Sequence, residues 1–153
     1  NESFFEAEHF NINSLDYNSL KNADLIVLVG ISELDNSLQA ALRQSIRQGG
    51  NIAIFPAKQT NVESYTTVFG SNFKSLDLQS QAQIPLAAPD KNHPFYSDVF
   101  SKISPNMNLP QAVPLLEWSG GRIILKFRTG KAFLGLLENQ KSKSFKSSFI
   151  DNT

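Results

Sequence analysis

Apolar residues follow two distinct rhythms in the first third of this chain. Asp24 to Gly30 is a short continuous apolar run ending in glycine, the pattern of a strand buried on both faces of a parallel sheet. From Leu34 the rhythm changes. Leu34, Leu38, Ala41, Leu42 and Ile46 recur every three or four residues and draw one stripe on a helix, while Arg43, Gln44 and Arg47 fall outside it. Ser32 stands where an N-cap belongs, with Asp35 three residues on as a weaker capping-box partner, so a helix is expected over Glu33 to Gln48. Gly49 and Gly50 stop it. Asn51 to Phe55 is a second short apolar run, closed by Pro56, and the order strand, helix, strand predicts a right-handed parallel crossover.

The flanking pattern is less regular. Phe4 to Ile12 is expected to form an earlier, less buried strand, followed by a turn or helical piece over Ser14 to Asn22, and Val62 to Phe69 reads as a short helix closed at Gly70. Six of the seven prolines lie in residues 71 to 121, where long ordered loops are expected, with strand fragments near Ser75 to Ile84 and Val113 to Trp118. Regular alternation returns late. Ile123, Leu125 and Phe127 alternate with Lys126 and Arg128 ahead of the turn residues Thr129 and Gly130, and a second apolar run follows, so a β-hairpin with one solvated face is expected. Lys141 to Ser148, KSKSFKSS, reads as a linker or mobile edge, within a flexible tail over 139 to 153.

A chain of 153 residues suits a single domain spanning 1 to 153 with its own core. Its lack of cysteine excludes disulfides, thiolate metal sites and a cysteine nucleophile, and is compatible with either redox compartment. The longest purely apolar run, Leu25 to Val29, is far short of the roughly 18 residues that mark a membrane span. The chain starts at Asn1 without an initiator Met and ends after a Ser/Lys-rich stretch, so it is expected to be a domain cut from a longer protein. Charge is unevenly distributed. Residues 122 to 153 hold seven Lys/Arg against two acids and residues 1 to 121 seven against twelve, so regions of +5 and −5 cancel.

The strand led by Asp24, the capped helix, the Gly49-Gly50 stop and the second strand together resemble the class I glutamine amidotransferase-like fold, a flavodoxin-type sandwich. Further segments narrow the resemblance: SLDYNSLKNADLIVLVGI, GGNIAIFPA, HPFYSDVF, MNLPQAVPLLEW and the late hairpin. From about Phe4 to Glu138 the chain resembles the amidotransferase-like domain of large membrane proteins with a Bat-type (aerotolerance operon) double-transmembrane N-terminus and a von Willebrand A-like region. That resemblance implies an α/β three-layer sandwich with a mainly parallel central sheet and a C-terminal β-hairpin. It also implies membrane anchoring through segments outside this chain, a position on the periplasmic face of the inner membrane, and partners among other envelope proteins or domains of the same parent. In true amidotransferases a nucleophilic cysteine sits in a tight elbow after the strand that corresponds to Asn51 to Phe55. Here Phe55, Pro56 and Ala57 occupy the elbow, Pro56 has no amide to donate, and neither Cys nor Ser occurs between Ile52 and Gln59.

The candidate ligand-binding residues are Gly30, Ser32, Pro56, Lys58 and His93. The strand ends Gly30 to Ser32 and Pro56 to Lys58 should lie side by side at the carboxyl edge of the sheet, where open α/β folds bind ligands, and an anion could sit at the Ser32 helix start. The plainer alternative makes Ser32 a cap and Lys58 a solvated cation, since no glycine-rich phosphate fingerprint surrounds either. His93, with Asp90 and Asp98 close in sequence, offers a general base, against the plainer role of fixing a turn before Pro94. His9 and His93 without cysteines make no zinc site, and Asp24 and Glu33 belong to opposite ends of a strand. The basic set Arg122, Lys126, Arg128, Lys131, Lys141, Lys143 and Lys146 carries no RNA-binding signature and is expected to be a solvated hairpin face that resists edge pairing. No nucleic-acid partner, metal or cofactor is expected. The expected function is a non-catalytic interaction or ligand-sensing domain. The alternatives are an envelope hydrolase using His93, or a periplasmic auxiliary subunit of a gliding-motility-type ABC system.

Overall fold

The computed structural model describes residues 6–77, 82–96 and 108–138, and the backbone of 143–147. It is a mixed α/β fold built on a five-stranded sheet. The strands are β1 (Leu25–Ile31), β2 (Asn51–Pro56), β3 (Phe73–Ser75), β4 (Ile84–Pro85), β5 (Gln111–Ala112), β6 (Leu116–Trp118), β7 (Arg122–Lys126), β8 (Ala132–Glu138) and β9 (Lys143–Ser147). Among the described residues two α-helices, α1 (Asn36–Gln48) and α2 (Val62–Phe69), accompany them. The main sheet runs β1-β2-β9-β8-β7, and two small antiparallel pairs, β3 with β6 and β4 with β5, stand apart from it.

The β1-α1-β2 unit forms, but β1 is buried on one face only, with Leu25, Val27 and Val29 exposed, where a strand buried on both faces is expected. β1 and β2 pair in parallel from Leu25 opposite Asn51 to Ile31 opposite Pro56. Ile26, Leu28, Ile52 and Ile54 point to one face, where they bury with Leu34, Leu38 and Leu42 and with Tyr65, Val68 and Phe69 of α2. Gly49, at φ 94°, donates its N–H to the Ile46 carbonyl, and the Gly50 N–H reaches the Ser45 carbonyl at 2.9 Å. These two bonds are the Schellman pattern, which uses up helix-end carbonyls.

Several expectations need correction. Helix α1 starts at Asn36 and is capped by Asp35, whose Oδ1 accepts from the Leu38 N–H at 2.8 Å; Ser32 lies outside it. Residues 6–11 form no strand. Instead the Asn11 side chain accepts from the Asn13 N–H and caps a short 3-10 turn, Ile12–Ser14. The sheet is not mainly parallel, because β1-β2 and β2-β9 are parallel while β8-β9 and β7-β8 are antiparallel. Both α-helices share the core on one face, and among the described residues no α-helix covers the other, where Tyr96 of the 3-10 turn Pro94–Tyr96 packs on Leu136.

The late hairpin is present, but its details differ. Phe127 donates its N–H to the Lys131 carbonyl and accepts from the Gly130 N–H, both at 2.9 Å, so the loop has three residues with Gly130 (φ 87°) in the left-handed position. Register shifts in β7 flanking Leu125 break the alternation, which buries Ile124 and leaves Ile123 exposed. The largest departure is β9. Residues 143–147, expected to be a linker, form the central strand of the sheet, parallel to β2 and antiparallel to β8. The rest of the expected tail, 139–142 and 148–153, lies outside the described residues.

Candidate functional site

The carboxyl ends of β1 and β2 do meet, as the crossover requires, but the crevice between them is stitched to the start of α2. Tyr65, fully buried, donates its hydroxyl to the Ile31 carbonyl at 2.6 Å. Asn61 donates its backbone N–H to the Ser32 carbonyl at 2.7 Å and its side-chain amide to Glu33 Oε1 at 3.2 Å. The Leu34 N–H donates to Ser64 Oγ at 3.2 Å. These four bonds occupy polar groups that a ligand would need.

Of the five candidate residues, the structure brings Gly30, Ser32, Pro56 and Lys58 to one end of the sheet. Gly30 takes φ 66° at a register shift in β1, a conformation that favours glycine. Pro56 is fully buried, and Ser32 and Lys58 are exposed. The elbow that would carry a nucleophile is therefore apolar and packed. Thr60 Oγ1 donates to the Ala57 carbonyl at 2.9 Å and closes the loop after it.

His93 is elsewhere. It belongs to a tight turn in which its N–H reaches the Asp90 carbonyl, and Asp90 Oδ1 in turn accepts from the Asn92 N–H, both at 2.9 Å. Three residues on, Tyr96 packs against Ile124 of β7 and Leu136 of β8. Strand β9 separates that region from β2. His93 Nδ1 accepts from the Phe95 N–H at 3.2 Å, and its Nε2 is buried without a hydrogen-bond partner. Neither nitrogen is presented to a substrate, and Asp98 lies outside the described residues. Among the described residues no three His, Cys, Asp or Glu side chains gather as a metal site.

The basic set divides. Arg122 pairs with Glu138 at 3.7 Å and Lys131 with Glu117 at 2.6 Å, while Lys126 and Arg128 are exposed. Lys141 lies outside the described residues, and Lys143 and Lys146 are placed by their backbone in β9.

The sequence gives no sign of a groove at the opposite end of the sheet. One cleft of about 180 Å³ lies between Tyr17, Leu20 and Lys21 and the Ala41, Gln44 and Ser45 side of α1. A second, about 210 Å³, continues from Lys21 past Asp24 to Gly49, Gly50 and Asn51. Each is smaller than the usual 300–1,000 Å³ of a small-molecule pocket, taken as an approximate range. Tyr17 also donates to Asp35 Oδ2 at 3.1 Å; burial, then that bond and the Asp35 charge, raise its phenol above the ordinary tyrosine range.

Comparison with known proteins adds a likeness of fold only. No protein family and no curated protein matches the chain. Among solved structures, the chain is similar to part of an exo-β-1,4-mannosidase from Opitutaceae bacterium strain TAV5, at 10% identity and a TM-score of 0.51. The match covers 82% of this chain and 20% of the mannosidase, so the chain spans about a fifth of that protein's length.

Proposed function

We propose that this chain is a non-catalytic interaction or ligand-sensing domain of a membrane-anchored cell-envelope protein, with an amidotransferase-like three-layer sandwich as its parent fold. The observation that carries this reading is the filled elbow. Buried Pro56 stands where acyl transfer needs a nucleophile and amide donors, and the bonds from Asn61, Ser64 and Tyr65 close the crevice around it. The sequence resemblance to Bat-type membrane proteins supports the envelope setting and a periplasmic position. The mannosidase likeness fits a fold unit that serves as one part of a much larger protein. His93 adds no base, since one ring nitrogen is used within its own turn and the other is buried.

The test is a turnover screen of the purified chain with ester, amide and aryl-glycoside substrates, mannosides included, beside His93→Ala. The expected result is no turnover above buffer for either protein. Saturable turnover that scales with wild-type protein and disappears in His93→Ala would establish an enzyme instead.

A further inference from the structure

The two edges of the main sheet are built differently. On one side, β7 carries Arg122 and Lys126 and slips register twice against β8, and charges and bulges of this kind blunt an edge against further pairing. On the other, β1 reads LIVLVGI, without charge or proline, and among the described residues nothing pairs with its outer side. Its single irregularity, at Gly30, comes near its carboxyl end. Leu25, Val27 and Val29 are 52%, 50% and 67% exposed and alternate with buried Ile26 and Leu28, so they form one apolar row on the face opposite α1 and α2. The run has the composition of a strand enclosed on both faces and both edges, yet among the described residues it is enclosed on one of each.

We propose that the open edge of β1 pairs antiparallel with β1 of a second copy, across a two-fold axis at Val27, joining two five-stranded sheets into one. A two-fold axis normal to the sheet puts paired residues on the same face, so odd positions must meet odd positions. The register that uses the whole run sets Val27 opposite Val27, Leu25 opposite Val29 and Ile26 opposite Leu28. Every one of these pairs is apolar and no like charges meet; Asp24 falls opposite Gly30, which has no side chain. This self-matching selects a second copy as the occupant. The three exposed side chains offer on the order of 250 Å² per copy, below the roughly 800 Å² that each partner buries in a standard stable interface. The dimer is therefore weak and concentration-dependent, held by a strand ladder and an apolar row. This pairing goes beyond the interaction-domain reading and does not depend on it, since an enzyme could dimerise by the same edge.

Sedimentation velocity on the full chain from about 10 μM to about 1 mM is expected to show a monomer–dimer equilibrium. Val27→Lys and Val27→Glu each place like charges face to face at the axis, on an exposed face that leaves the fold's circular dichroism unchanged. Each is expected to weaken dimerisation by more than about tenfold. Val29→Lys, further from the axis, is expected to weaken it less. An equimolar mixture of Val27→Lys and Val27→Glu should regain the dimer, because Lys then meets Glu. Wild type that stays monomeric throughout, or a dimer that survives Val27→Lys, would overturn the proposal. A mixture that stays monomeric removes the Val27 register, and a monomer that instead takes up an apolar extended peptide assigns the edge to another protein.

Discussion

Tyr65 ties a polar contact at the carboxyl end of β1 to the molecule's pH response. Burial pushes its phenol above the ordinary tyrosine range, and burial likewise raises Tyr96. A raised acid is protonated in the fold, so the associated stability is intact below the unfolded value near 10 and is lost as pH rises beyond it. Alkaline titration followed by circular dichroism should therefore show unfolding that starts above about pH 10. Tyr65→Phe should shift that onset upward while lowering stability near neutral pH by about 1–2 kcal/mol, because the Ile31 carbonyl loses its buried donor. The start of α1 supplies a second contrast. Ser32 and Asp35 are both good caps by residue type, but the Ser32 carbonyl is taken by Asn61 and the helix does not start until Asn36. Asp35→Ala should cost about 1 kcal/mol in urea unfolding and Ser32→Ala less than about half that. A larger loss from Ser32→Ala would reverse the assignment. This choice was not legible in the sequence, since it turns on a contact made 29 positions away, between Ser32 and Asn61.

At the scale of elements, segments whose local signals agree were readable and segments decided by neighbours were not. The apolar stripe Leu38, Ala41, Leu42 and Ile46 faces the core as its period requires. The glycine pair also ends the helix as expected, and its second member is tightly held. A Cβ on Gly50 would collide with Ser45 Oγ, a buried hydroxyl that can rotate, and would press on the Ser45 carbonyl at 3.2 Å. Gly50→Ala should therefore cost about 1–2 kcal/mol in thermal or urea unfolding, and Gly50→Ala with Ser45→Ala should recover part of it. Strand β9 is the opposite case. KSFKS has weak strand propensity and no apolar run, and it becomes a strand because ladders wait on both sides, from Ile52–Ile54 and from Leu134–Glu138. The hairpin falls between these cases. Its turn glycine was legible, while the bulges that bury Ile124 depend on how β7 meets β8.

For the whole molecule, the centre of the sheet is the last of its described strands. A chain ending at Glu138 would leave β2 and β8 without their shared partner, and it is expected to lose cooperative thermal unfolding rather than merely shed a tail. Retention of the wild-type transition in that truncation would return the segment to the status of a linker. The candidate site was legible only in its location: Gly30, Ser32, Pro56 and Lys58 converge as the crossover demands, but its closure by Asn61, Ser64 and Tyr65 depends on where α2 docks. The position of β9 also sets an order of events in time. Ile54 pairs with Lys146, 92 positions later, so the β1-α1-β2 unit leaves the ribosome with one side of β2 unfilled. Joining such distant segments is slow compared with closing a helix or a hairpin. During that interval, β2 is a second open edge, beside that of β1, for a chaperone or a neighbouring nascent chain to find.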